Sequence, residues 1–102
     1  MEYRELVILI VEDNPDDLEM TLHMFGEAAI TNPIEVARDG QEALDYVFCQ
    51  GAYLGREAIP PWLILLDLNL PKIGGIEVLR AIKADPHTKN IPVVILTGSY
   101  ED

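Results

Sequence analysis

Three carboxylates stand directly after apolar runs in this chain. Leu6-Val7-Ile8-Leu9-Ile10-Val11 leads into Glu12-Asp13, and Trp62-Leu63-Ile64-Leu65-Leu66 leads into Asp67. A continuous run of Val, Ile and Leu of this length reads as a strand buried on both faces of a parallel sheet. Ligands of open parallel sheets bind beyond the carboxyl ends of the strands. With the two strands adjacent, Glu12, Asp13 and Asp67 meet in one small site. At ~5 Å and an effective dielectric of ~20, each like-charged pair costs about 3 kcal/mol. A proton or a divalent cation has to neutralise part of such a cluster. A fourth group, Thr97, follows a further apolar run, Pro92-Val93-Val94-Ile95-Leu96.

Taken singly, each residue has an ordinary structural role open to it. Asp13 can end a strand and start a helix, Asp67 can be a turn residue, and Thr97-Gly98-Ser99 can be a turn. The joint pattern is harder to produce from folding needs alone. His23 and His87 have no second histidine or cysteine at ligand spacing, so they read as surface or cap residues. Asp16-Asp17 reads as a solvated helix start.

The elements that position these groups follow from periodicity and punctuation. The first strand is about Leu6 to Val11. Asn14 suits a helix cap, Pro15 the first helical position, and Asp16-Asp17 the positive end of the helix dipole. Leu18, Leu22, Phe25 and Ala29 then mark one helical face, which fades near Ile30. After Asn32-Pro33, Ile34-Glu35-Val36-Ala37 alternates as a half-exposed strand would. Asp39-Gly40 reads as a turn, and Ala43, Leu44, Val47 and Phe48 as a second helix. Residues 50–61 are too rich in Gly and Pro for a regular element. Trp62 to Leu66 is the third strand and Leu70 to Gly75 a loop. A third helix over Ile76, Leu79 and Ile82 ends before Asp85-Pro86, because a residue preceding proline disfavours helical geometry. Pro92 to Leu96 is the fourth strand. Strand and helix alternate three times before a last strand, which predicts an α/β domain with a parallel sheet.

The 102 residues allow one domain, residues 1–102, and the chain is 49% hydrophobic and 25% charged, so it should fold. Seven basic against 18 acidic residues give a net charge of −11. That argues against nucleic acid and against anionic membranes as partners, since both require Lys and Arg. No apolar stretch is long enough to span a bilayer, and the start lacks a secretory pattern. The single cysteine, Cys49, cannot form an internal disulfide and reads as a buried thiol. A cytoplasmic protein is the simplest expectation.

Glu12-Asp13 after its strand, Asp67-Leu68-Asn69-Leu70-Pro71 with Gly74-Gly75, and Ile91 through Thr97 together resemble the receiver domain of two-component response regulators. The segment Pro61 to Lys72 is most similar to single-domain regulators of bacterial phytochrome kinases. The resemblance implies a flavodoxin-like doubly wound sheet with strand order 2-1-3-4. It implies that Asp67 accepts a phosphoryl group from a sensor histidine kinase. It further implies Mg²⁺ held directly by Asp13 and Asp67, by Glu12 through water, and by the backbone carbonyl of Asn69. Thr97 takes the place of the hydroxyl that contacts the phosphoryl group and switches the surface. An enzyme alternative, a phosphatase of the haloacid-dehalogenase type, wants a second Asp two residues after the nucleophile, where this chain has Asn69. That tells against turnover, so a non-enzymatic module is expected. The other alternative is a receiver that serves only as an interaction surface.

The family's pattern continues with a final helix-strand-helix portion that this sequence, which stops at Asp102, does not include. Lys72, Lys83 and Lys89 do not match the lysine that ends the family's fifth strand. The expectation is a receiver domain truncated after strand four, with Val93 to Leu96 as an uncovered edge that favours self-association. A monomer by light scattering at high concentration would count against that. Cation binding is also expected to quench Trp62, which begins the strand that Asp67 ends.

Overall fold

The apolar runs pair into four short parallel strands, β1 (Ile8–Val11), β2 (Ile34–Ala37), β3 (Leu63–Asp67) and β4 (Val93–Leu96). Their order is β2-β1-β3-β4, as expected. The computed structural model describes residues 6–96, so Thr97 and the turn after it lie outside the described residues. Three helices connect the strands, α1 (Pro15–Glu27), α2 (Gly40–Phe48) and α3 (Gly75–Ala84).

Side chains alternate across the sheet and build two cores. Ile8, Ile10 and Leu65 face one way and meet Leu18 of α1. Leu9, Val11, Ile64 and Leu66 face the other way, against Ala43, Tyr46 and Val47 of α2 and Val78 and Ile82 of α3. Each fully buried Ile or Leu contributes roughly 1.5–3 kcal/mol by leaving water. The second face, covered by two helices, therefore carries most of the hydrophobic stabilisation.

Local chemistry sets the helix ends. The Asn14 side chain accepts from the N–H groups of Asp16 and Asp17 at 2.9 and 3.0 Å, with Pro15 at the first helical position. Of the four residues expected on one face of α1, Leu18 is buried and Phe25 half-buried, Leu22 is exposed, and Ala29 lies beyond the helix with φ 58°. Leu18 and Phe25 lie two turns apart and nearly in line, whereas Leu22 is rotated by about 40° from Leu18. Asp39-Gly40 is not a free turn. Asp39 caps α2, its carboxylate accepting from Glu42 N–H at 2.7 Å, and Gly40 is the first helical residue. Cys49 ends α2 in the left-handed conformation, φ 55° and ψ 52°, and is half-buried rather than buried.

Residues 50–61 hold one turn of 3-10 helix, Gly51–Tyr53. They are pinned by Arg56, whose guanidinium stacks 3.9 Å from the Tyr46 ring and donates to the Tyr46 carbonyl. Among the described residues β4 pairs with β3 alone, and Val94 on it is 46% exposed. Also among them, no helix is long and apolar enough to cross a membrane.

Candidate functional site

Strand register brings the carboxylates together. Val11 sits opposite Leu66 in the β1–β3 pairing, so the next residue of each chain segment, Glu12 and Asp67, ends neighbouring strands side by side. By alternation Glu12 continues the face of Ile8 and Ile10, and Asp67 that of Leu63 and Leu65. Both side chains therefore fall on the α1 side of the sheet. Asp13, one residue on, completes the group, and one carboxylate oxygen from each of Glu12, Asp13 and Asp67 lies within 4.8 Å of the others.

The three differ in burial. Glu12 is 4% exposed and Asp67 9%, while Asp13 is open to solvent. Burial pushes the Glu12 carboxyl up to about 7. The Asn14 N–H, which donates to Glu12 Oε2 at 3.2 Å, opposes that rise. A hydrogen bond with Asp67 and its negative charge add to it, with Asp17 contributing further. Asp67 in turn accepts from the Asn69 N–H at 3.1 Å through Oδ1. Without a cation, a proton on Glu12, hydrogen-bonded to Asp67, relieves the repulsion. The donor set is all oxygen, partly buried, and anionic once that proton leaves. These are properties that suit a small hard divalent cation.

Of the residues singled out in the sequence, Glu12, Asp13 and Asp67 converge. Asn69 lies two residues after Asp67 and holds it through the main chain. Thr97 lies outside the described residues. Sequence reasoning missed three neighbours, which are the Asn14 N–H on Glu12, the Asp39 cap and the Lys72 ion pair to it. Asp39-Gly40-Gln41-Glu42 carried a signal for the cap, an Asp followed three residues later by Glu. Nothing in the sequence pointed to the ion pair, since Asp39 and Lys72 meet only through the fold.

A parallel sheet of order 2-1-3-4 with acidic groups at the ends of its first and third strands defines a flavodoxin-like α/β domain with an acidic site at its carboxyl edge. The chain belongs to the response regulator receiver domain family, whose model matches residues 8–102. It is 43% identical over 96 residues to the response regulator Rcp1 of Synechocystis sp., covering 94% of this chain and 64% of Rcp1. The structure of the bacteriophytochrome response regulator AtBRR aligns with TM-score 0.90 and 48% identity, over 95% of this chain and 69% of that one. A phosphorylated cyanobacterial phytochrome response regulator, RcpA, aligns with TM-score 0.83 and 41% identity, over 96% and 69% of the two chains. Rcp1 itself has a Mn²⁺-bound structure, which aligns with TM-score 0.84 and 42% identity, over 95% and 68%. Receiver domains of this family are generally signalling modules rather than enzymes.

Proposed function

We propose that this chain is a cytoplasmic phosphoacceptor module that takes a phosphoryl group from a sensor histidine kinase, of phytochrome type, onto Asp67. The observation that carries the reading is the convergence of Glu12, Asp13 and Asp67 within 4.8 Å at the carboxyl end of the sheet. The phosphorylated state of RcpA and the Mn²⁺ bound in Rcp1 support it by likeness.

In this reading an oxygen of the Asp67 carboxylate attacks the phosphorus of a phosphohistidine. The P–N bond breaks, its electron pair stays on the imidazole, and an acyl phosphate forms on Asp67. Asp67 and Asp13 would hold Mg²⁺ directly, with Glu12 through water and Asn69 through its carbonyl. The bound ion would offset the repulsion between two anions that must approach. The Asn69 N–H fixes one oxygen of Asp67, which limits the orientations from which the carboxylate can react. The proton on Glu12 and a bound cation would compete, because each neutralises the same acidic cluster. Thr97 is proposed as the hydroxyl that contacts the phosphoryl group. The added charge of about −1.5 to −2 then changes the surface the protein presents. Self-association through β4, with Val94 as its exposed apolar residue, belongs to the same proposal and is read by light scattering.

The test is uptake of beryllofluoride, or of phosphate from acetyl phosphate, in the presence of Mg²⁺. The wild-type chain is expected to be modified and Asp67→Asn is not. Failure of the wild type to react would favour an interaction-only receiver. Continuous release of phosphate from a generic phosphoester would favour the phosphatase reading.

A further inference from the structure

The segment between β3 and α3, residues 68–74, directly follows Asp67 and includes Asn69. Three observations show that it is held by α2 rather than by its own preferences. Lys72 has φ 68°, in the left-handed region that residues with a Cβ avoid. Lys72 Nζ lies 3.3 Å from Asp39 Oδ2, the side chain of Asp39 being only 15% exposed. A Cβ on Gly40 would overlap the carbonyl oxygen of Ile73, so the segment's backbone rests directly on the first residue of α2. The anchor is itself fixed, because the Asp39 carboxylate caps α2 through Glu42 N–H. At its other end the segment is tied to the pocket by Asn69 N–H on Asp67 Oδ1 and by Gly75 N–H on the Leu68 carbonyl. A Cβ on Gly75 would lie 2.5 Å from the Asp67 carbonyl oxygen, so α3 closes tightly on the same peptide. A disfavoured backbone conformation persists where its surroundings over-determine it, and here both neighbouring helices do so.

We propose that Lys72 and Asp39 form a clasp that sets the affinity of the Glu12–Asp13–Asp67 pocket for a divalent cation. Both are positioning residues, acting through Asn69 on the orientation of the Asp67 carboxylate. With the clasp closed, the segment is ordered before a ligand arrives. With it open, cation binding must also order the segment and is correspondingly weaker. The proposal rests on reading the acidic trio as a cation site.

Charge and position predict opposite signs at Lys72, which makes the test decisive. Removing a cation near an acidic pocket should by electrostatics alone tighten binding of Mn²⁺. Removing the clasp should weaken it. Calorimetric titration of the full chain with Mn²⁺ is expected to show Lys72→Gly binding about threefold to fivefold more weakly, in line with one exposed ion pair. This is expected although glycine relieves the left-handed strain. Lys72→Arg should bind as the wild type does. Asp39→Asn, which keeps an oxygen for Glu42 N–H, should add no further loss in the Lys72→Gly background. Equal or tighter binding by Lys72→Gly, or full additivity with Asp39→Asn, overturns the clasp and leaves the cation site standing. A wild-type chain that binds no Mn²⁺ overturns both. If Lys72→Gly fails to fold, judged by its urea transition, Lys72→Gln takes its place, since it removes the same charge without changing the backbone. The clasp predicts weaker Mn²⁺ binding by Lys72→Gln, and binding equal to or tighter than the wild type overturns it.

Discussion

The two ends of the sheet are made of the same strands in the same register, yet their chemistry is opposite. At the amino ends, Pro33, Pro61 and Pro92 lead the chain into β2, β3 and β4. Proline supplies no N–H but keeps its carbonyl, and two of these carbonyls accept from the neighbouring strand. Pro33 accepts from Ile8 N–H at 2.9 Å and Pro92 from Ile64 N–H at 3.0 Å. The surroundings are mostly apolar, with Leu6, Pro61, Trp62 and Ile91 lining a groove of about 460 Å³ to which His87 and Asn90 add the polar groups. At the carboxyl ends, two buried carboxyl groups stand side by side with a third beside them. One end satisfies its polar groups internally. The other holds an electrostatic conflict that only a proton or a ligand resolves. Destabilising groups of this kind persist where they serve binding or chemistry.

The largest effect that sharpens this contrast is the pH dependence of the cation-free protein. The Glu12 carboxyl lies at 4.5 when unfolded and at about 7 when folded. Below 4.5 both states carry the proton and the full stability is present. Between the two values the folded state binds the proton and the unfolded state does not, so stability falls as pH rises through 7. The loss is on the order of 2–3 kcal/mol. Asp39, held low mainly by its hydrogen bond from Glu42 N–H, works in the opposite direction, since its contribution is lost only as pH falls below the ordinary carboxylate range. Urea unfolding in a chelator between pH 5 and 7.5 therefore excludes Asp39, and the difference between the wild type and Glu12→Gln isolates Glu12. Glu12→Gln should flatten the curve and be the more stable protein at pH 7.5. A wild-type curve already flat over that range would show that the conflict is relieved some other way.

A smaller effect belongs to the opposite end. Thr88 is 6% exposed, and its hydroxyl donates to the Ile82 carbonyl of α3 at 2.6 Å. Lys83 Nζ reaches the carbonyls of Lys89 and Ile91 beside it, at 2.9 and 2.8 Å. The Thr88 bond satisfies a carbonyl that the break at Asp85-Pro86 leaves open at the end of α3, and the Lys83 bonds tie the loop that follows back to the helix. Thr88→Val keeps the shape and removes the donor, at a cost of about 1–2 kcal/mol. The urea midpoint should fall by that amount while Mn²⁺ affinity stays at the wild-type value. A coupled loss of Mn²⁺ affinity would show that the two ends are not energetically separate.

The fold was legible wherever a residue's role depends on near neighbours in sequence. Asn14-Pro15-Asp16-Asp17 announced α1 because capping is local. The runs ending at Val11 and Leu66 announced buried strands because period and composition are local. The convergence of Glu12 and Asp67 needed one further step, the rule that places ligands beyond the carboxyl ends of parallel strands. What stayed hidden was contact between segments distant in sequence. The ion pair of Lys72 with Asp39 is of that kind, since the two meet only once α2 and the segment after β3 are assembled, whereas the Asp39 cap on Glu42 N–H is local and its signal was there to be read. The exposure of Leu22 was hidden too, because a helical period shows which residues align and not how wide a stripe the sheet covers.

The smallest expected effect concerns Trp62, and here the structure reverses the reading of the sequence. Trp62 precedes β3 rather than opening it, is 50% exposed, and donates its N–H to the Val7 carbonyl at 2.8 Å. It lies five positions before Asp67, a span of about 16 Å along an extended strand. A cation at the carboxyl end lies beyond contact with the indole, and the intervening residues Ile64, Leu65 and Leu66 are buried and locked into two strand pairings. Mg²⁺, which is not itself a quencher, should therefore leave the intensity and wavelength of Trp62 emission unchanged at concentrations where calorimetry shows saturation. A changed emission would mean that occupancy at one end repacks the other. The separation of the two ends would then be a property of the cation-free state alone, and the apolar groove would become part of the signal's output.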